Sequence, residues 1–291
     1  MTDDTVFGTY DQAGLDAQYN NRAAVPEHVQ LVENWVQNGQ ALISEFEHRL
    51  DVPYGSGEAE KLDIILPKSP GPHPVNIYFH GGFWKSRSKA DLTIASRALV
   101  ENGAIAIIVG YGLIPTVTID ELVRQCRAAV AWTHTNAESL GGDPGRLFVS
   151  GNSAGGHLTA MLMATNWPAA CGLPADIVRG GCSLSGLFDL EPVRLCYIQE
   201  DLGLTEEEVR RNSPVKLKPA TSAPIIVAVG GDESDEFHRQ SQNLTDAWNN
   251  AGGDCRLMIR PGVNHFTIVS EFADASSGLA RAYIELMNLD S

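Results

Sequence analysis

The chain has 291 residues, of which 43% are hydrophobic, and a formal net charge of −15 at pH 7. This length and hydrophobic content suit one large α/β domain with a sizeable core. The acidic balance argues against nucleic acid and anionic membrane surfaces as partners. We expect a single domain over 1–291, in which 1–55 form a helical cap or extension and 60–290 form the main body.

The cysteines and the start of the chain bear on its location. The five cysteines are scattered and show no C-x-x-C spacing, so we expect neither a disulfide framework nor a zinc site. The first residues, from Met1 to Thr5, lack the apolar region of a secretory signal. No run approaches the roughly 20 apolar residues that a membrane span needs. These features together predict a cytoplasmic protein.

The first fifty residues are polar and contain one amphipathic segment, from Pro26 to Leu50. Pro26 suits a first helical turn, and the segment predicts one or two helices. They either cap an active site or simply cover the sheet.

Apolar runs bounded by turn residues predict the strands of a mostly parallel sheet. In chain order these runs are 61–66, 75–79, 104–109, 146–150, 181–184, 224–229 and 255–259. Helical spacing and capping boxes predict helices between them. The predicted helices are about 89–102, the segment after Thr118, 205–211, 236–250 and 279–286.

A G-x-S-x-G turn, Gly151-Asn152-Ser153-Ala154-Gly155, joins the strand at 146–150 to an apolar-faced helix. In this setting the serine is held in strained backbone with its hydroxyl above the sheet. A side chain at either glycine would collide with the neighbouring strand or helix. We therefore predict that Ser153 is a nucleophile; the alternative is a glycine-rich structural turn.

A serine hydroxyl needs a base to attack a carbonyl group, and histidine titrates near neutrality. In open α/β sheets, such groups gather at the carboxyl ends of the strands. His265 follows the last predicted strand and is the predicted base. We expect His157 to point away from the hydroxyl and His80 to hold its loop by hydrogen bonds.

The base needs a carboxylate that fixes its tautomer. Asp232, Glu233 and Asp235 all follow the strand at 224–229; Glu233 is favoured, and the other two remain open. Asp189 is a weaker alternative, since it also suits a turn. The order serine, acid, histidine is that of α/β-hydrolases and differs from that of chymotrypsin and subtilisin.

The oxyanion of such a reaction needs preorganised N–H donors. Ala154 offers one at a helix N-terminus, and Gly82 and Phe83 offer two more in a His-Gly-Gly loop that lets the backbone approach a substrate. Trp84 and Phe188 are candidates for an acyl or aryl pocket, although aromatic residues after strands are as often core.

The run His80-Gly81-Gly82-Phe83-Trp84 resembles the H-G-G-x-W motif of kynurenine formamidase (arylformamidase)-like α/β-hydrolases, which are relatives of the hormone-sensitive-lipase-like esterases. The resemblance covers about 60–290. The start also resembles the N-terminal region of bacterial members, in the run Tyr19-Asn20-Asn21-Arg22.

The segments that follow the last two predicted strands also resemble this family. Counting back from its Glu-Phe-x-Arg-Gln-Ser run, 236–241 here, places the triad acid at Glu233, and Asn264-His265-Phe266 resembles its histidine loop. Two departures stand out: Asn152 replaces the usual histidine before the serine, and Gly112 replaces a typical arginine.

The resemblance implies an α/β-hydrolase fold, with a mostly parallel central sheet flanked by helices and an N-terminal helical cap segment. It implies a serine hydrolase that cleaves small esters or N-formyl amides through an acyl-enzyme, without a metal or organic cofactor. The departures favour a carboxylesterase over an arylformamidase. A non-catalytic ligand-binding protein on the same fold is the alternative from another class. The expected partner is a small-molecule ester or formamide, and a homodimer is left open.

Overall fold

A computed structural model describes residues 5–289 of the chain. Its centre is a single sheet of eight strands in the order β1-β2-β4-β3-β5-β6-β7-β8. In chain order, the strands are β1 Glu47–Pro53, β2 Lys61–Leu66, β3 His73–Phe79, β4 Ile105–Val109, β5 Gly142–Asn152, β6 Val178–Leu184, β7 Ile225–Gly230 and β8 Cys255–Arg260. The pairs β1–β2 and β2–β4 are antiparallel, and all other pairs are parallel.

Helices cover both faces of this sheet. They are α1 Gln12–Tyr19, α2 Asn21–Ala24, α3 His28–Glu45, α4 Arg97–Glu101, α5 Ile119–Asn136, α6 Ala154–Met163, α7 Trp167–Cys171, α8 Glu191–Leu195, α9 Gln199–Leu202, α10 Glu206–Arg211, α11 Asp235–Asn250, α12 Thr267–Ala273 and α13 Gly278–Leu286. Short 3₁₀ helices include Lys89–Ser96. Within residues 5–289, none of the helices combines the length and the apolar character needed to span a membrane.

The two faces of the sheet bury separate apolar clusters. Successive strand residues point to opposite faces, so Val149 packs into one cluster and its neighbour Phe148 into the other. Every residue of β3, β4 and β7 is buried. This double coverage explains why the central strands read as nearly continuous apolar runs.

The N-terminal region differs from its sequence-based prediction. Helix α3 ends at Glu45, and the next residues form β1, an antiparallel edge strand. Six of its seven residues are exposed, so the strand lacks the apolar alternation that would reveal it. The predicted helix at 89–102 is also divided, into the 3₁₀ helix Lys89–Ser96 and α4.

Helix α3 packs closely on the 3₁₀ helix Lys89–Ser96. A Cβ atom at Gly39 of α3 would lie 3.1 Å from the Cβ atom of Thr93 and 3.3 Å from the backbone N of Ile94. Glycine therefore permits this close helix contact. The contact holds the N-terminal region beside the loop that follows β3.

Candidate active site

Ser153 lies at the turn between β5 and α6. Its backbone has φ 56° and ψ −117°, a conformation that is strained for a residue with a side chain. A Cβ atom at Gly155 would lie 1.9 Å from the carbonyl oxygen of Phe79, and one at Gly151 would lie 2.5 Å from the same oxygen. Both glycines are therefore required for the turn to pack against β3, as the motif predicts.

Glu233 and His265 follow the neighbouring strands β7 and β8. His265 Nδ1 lies 2.7 Å from Glu233 Oε2. The other carboxylate oxygen, Oε1, accepts the backbone N–H of Gly230 at 2.7 Å and the hydroxyl of Ser185. Nδ1 is engaged, Nε2 has no hydrogen-bond partner among residues 5–289, and His265 and Ser153 line the same cavity. The structure thus brings the predicted serine, acid and histidine to one edge of the sheet.

The other candidate acids lie elsewhere. Asp232 and Asp235 are exposed, and Asp189 lies 3.6 Å from Arg239 and accepts the backbone N–H of Glu191. Within residues 5–289, Glu233 is the carboxylate that contacts the imidazole of His265. The geometry therefore selects Glu233 among the alternatives that the sequence left open.

The loop after β3 presents free N–H groups beside Ser153. Gly82 has φ 117° and a Cβ atom there would lie 2.1 Å from the carbonyl oxygen of Ser86, so only glycine fits. Within the described part of the chain, the N–H groups of Gly82 and Phe83 donate to no backbone or side-chain acceptor. Ala154 is the first residue of α6, where N–H groups lack intrahelical acceptors. All three predicted oxyanion donors are thus available.

Asn152, which departs from the residue usual in the resembled family, fixes this loop to the turn. Its Oδ1 accepts the backbone N–H of Gly81 and the hydroxyl of Tyr78, both at 2.9 Å. The sequence analysis noted Asn152 only as a departure. Its position next to the predicted nucleophile was the available signal in the sequence.

His80 acts as a buried support. Its ring stacks on that of Tyr111 with centroids 4.2 Å apart, and its Nδ1 lies 2.8 Å from the carbonyl oxygen of Gly81. Burial lowers the pKa of His80 to about 4. The ring is therefore neutral at pH 7 and holds the loop, as expected.

Trp84 and Phe188 do not line the cavity, which corrects their expected role. Both side chains are fully buried, with 0% of their surface exposed. Trp84 Nε1 donates to His157 Nδ1 at 3.1 Å, and His157 Nε2 donates to the carbonyl oxygen of Asn212 at 2.8 Å. These bonds hold the indole in the core.

The cavity above Ser153 has a volume of about 140 Å³. Its apolar wall comes from distant parts of the chain, namely Trp35, Leu92, Ile198 and Phe266. The sequence analysis missed these residues, since nothing local marks them. Among residues 5–289, no group of three or more His, Cys, Asp or Glu side chains is placed to hold a metal ion.

The chain is similar to known proteins along nearly its whole length. Residues 62–170 match the protein family described as BD-FAE. The chain is 33% identical to kynurenine formamidase of Danio rerio, an alignment that covers 99% of this chain and 97% of the relative. It is 32% identical to kynurenine formamidase of Salmo salar, over 90% and 89% of the two chains.

A solved structure shows the same fold. A hyperthermophilic esterase from the archaeon Pyrobaculum calidifontis superposes with a TM-score of 0.71 at 17% identity, covering 93% of this chain and 94% of that one. The eight-stranded, mostly parallel sheet with helices on both faces is the α/β-hydrolase fold.

Proposed function

Because the chain belongs to the kynurenine formamidase family of α/β-hydrolases, we propose that this hydrolase is an arylformamidase that removes the formyl group of N-formylkynurenine. The observation that carries this proposal is the 33% identity over 99% of the chain, which includes the N-terminal segment beside the cavity. The sequence alone favoured a carboxylesterase. The relatives aligned along nearly the whole chain favour its alternative instead.

The proposed reaction begins with the transfer of the Ser153 hydroxyl proton to His265 Nε2 while Oγ attacks the formyl carbon. Glu233 holds the imidazole by its Nδ1–H and stabilises the imidazolium. The backbone N–H groups of Gly82, Phe83 and Ala154 then hold the negative oxygen of the tetrahedral intermediate.

Collapse of this intermediate breaks the bond between the formyl carbon and the aryl nitrogen. His265 donates its proton to that nitrogen, which leaves as the free aryl amine. Water, deprotonated by His265, then attacks the formyl ester on Ser153. Release of formate restores the serine hydroxyl.

The test compares N-formylkynurenine and p-nitrophenyl acetate as substrates of the wild type and of Ser153→Ala. We expect efficient release of formate from N-formylkynurenine, and a loss of about four to six orders of magnitude in kcat in the variant. Strong turnover of the ester alone would identify a carboxylesterase. Turnover of neither, with Ser153 unreactive towards a fluorophosphonate in the folded protein, would favour a ligand-binding protein.

A further inference from the structure

The cavity above Ser153 carries positive charge in an otherwise acidic protein. The chain has a net charge of −15, yet among residues 5–289 this cavity is lined by Arg22, Lys85 and Arg87 and by no Asp or Glu side chain. An acidic chain repels anions in general, so a local excess of cations marks the place where an anion can bind.

Two of these cations form no ion pair with the residues that the structure describes. Lys85 forms an ion pair with Asp201. Arg22 and Arg87, by contrast, form no ion pair and no side-chain hydrogen bond within residues 5–289. Arginines elsewhere in the chain reach carboxylates, as Arg124 reaches Glu121 and Arg239 reaches Glu236.

Partial burial makes the lack of a direct ion pair unfavourable for Arg87. Its side chain is partly buried, and burial lowers the pKa of Arg87; Asp91 opposes this effect and the positive charge of Arg22 adds to it. The Oδ2 atom of Asp91 is already engaged by the backbone N–H and the hydroxyl of Ser88. An anion between the two guanidinium groups would relieve their repulsion.

Asn21 supplies a third donor beside these arginines. It lines the same cavity, with 8% of its surface exposed, and its Nδ2 is buried without a hydrogen-bond partner in the described structure. Since no protein hydrogen bond fixes this amide, it can turn to donate into the cavity. A buried donor without a partner is unfavourable, and an acceptor on a ligand would satisfy it.

We infer that Arg22 and Arg87 form a subsite that binds a carboxylate group of the substrate while Ser153 attacks its carbonyl carbon. This inference rests on the proposed function, because N-formylkynurenine carries an amino-acid carboxylate remote from its formamide. Guanidinium groups bind carboxylates through paired N–H donors, which fixes orientation as well as adding affinity. The N-terminal segment, through Arg22, therefore contributes to substrate specificity.

The first test compares N-formylkynurenine with the analogue in which an uncharged carboxamide replaces the carboxylate. We expect the wild type to prefer the carboxylate by about 10- to 100-fold in kcat/KM, and Arg87→Gln and Arg22→Gln each to reduce that preference about tenfold, mainly by raising KM. Arg87→Lys keeps the charge and should retain part of the preference. The matched control is Arg256→Gln, which removes an exposed arginine outside the cavity. It should leave kcat/KM unchanged for both substrates.

If both variants keep the wild-type preference for the carboxylate, whether kcat/KM is unchanged or falls equally on both substrates, the subsite is overturned. A second pair, phenyl acetate and 3-acetoxybenzoate, separates this result from the proposed function. If only esters are cleaved, arylformamidase activity is excluded, and the same variants must still reduce the preference for the carboxylate-bearing ester. If neither class is cleaved, calorimetry with kynurenine and kynurenine amide decides, and equal binding of the two by the wild type refutes the subsite.

Discussion

Ser185 contacts the carboxylate of Glu233, which in turn contacts His265, the proposed general base. Its hydroxyl donates to Glu233 Oε1, and the opposite oxygen of Glu233 contacts His265 Nδ1. Ser185 follows β6 and is buried, with φ 49°. At the scale of single residues, the site therefore depends on a serine that the sequence analysis did not single out. Its place directly after a predicted strand was the available signal.

We expect Ser185→Ala to lower kcat about tenfold with little change in KM, because Glu233 loses a hydrogen bond that fixes its orientation. Steady-state kinetics on N-formylkynurenine, or on the ester if that is the substrate, measures the effect.

The matched control for Ser185 is Ser183→Ala. Ser183 is also buried, but its hydroxyl donates to the carbonyl oxygen of Gly156 rather than to Glu233. Its loss should affect stability without a specific fall in kcat. Equal falls in kcat for both variants would show that Ser185 supports the structure in general rather than Glu233.

At the scale of elements, helix α1 is fastened to the start of α11, directly after Glu233. The hydroxyl of Tyr19 donates to Glu236 Oε2 and accepts from Gln240 Nε2, both at 2.7 Å. Arg239 also contacts Glu236, at 2.7 Å and 2.8 Å. Glu236, Arg239 and Gln240 of the Glu-Phe-x-Arg-Gln-Ser run thus anchor helix α1, which precedes the cavity-lining residues Asn21 and Arg22.

Tyr19→Phe should lower the free energy of unfolding by about 1–3 kcal/mol, because Gln240 loses an acceptor and the buried Glu236 loses a donor. Urea unfolding measures the change. Tyr10→Phe is the control, since the hydroxyl of Tyr10 makes no hydrogen bond within residues 5–289, and it should change stability by less than about 0.5 kcal/mol. Equal effects of the two substitutions would contradict the role of the network.

The central strands could be predicted from the sequence because burial on both faces leaves a continuous apolar run, as in Ile105–Val109. The exposed strand β1 carries no such signal. Trp84 was misplaced because φ values of 50° at Phe83 and 56° at Trp84 redirect the side chains after β3, and no local pattern encodes that reversal. The cavity wall was missed because Trp35 and Phe266 meet only through the tertiary fold.

At the scale of the whole molecule, two buried histidines link folding to pH. Burial lowers the pKa of both His80 and His157 to about 4. An unfolded chain has histidines with a pKa near 6.5. Between these two pKa values, the histidines bind protons in the unfolded state but remain unprotonated in the folded state. Stability is therefore fully present above about pH 6.5 and is lost progressively as the pH falls towards 4.

We expect the free energy of unfolding to fall between pH 6.5 and 5 by up to about 1.4 kcal/mol per pH unit for each of the two histidines. His157→Gln separates their contributions, because glutamine can still accept from Trp84 Nε1 and donate to the carbonyl oxygen of Asn212 but does not titrate. Urea unfolding at pH 7, 6 and 5 should give a slope in the variant about half that of the wild type, whatever the variant's stability at pH 7. A wild-type stability that is flat across this range, or an unchanged slope in His157→Gln, would mean that these rings accept protons without unfolding the core, and that the link between burial and stability does not hold here.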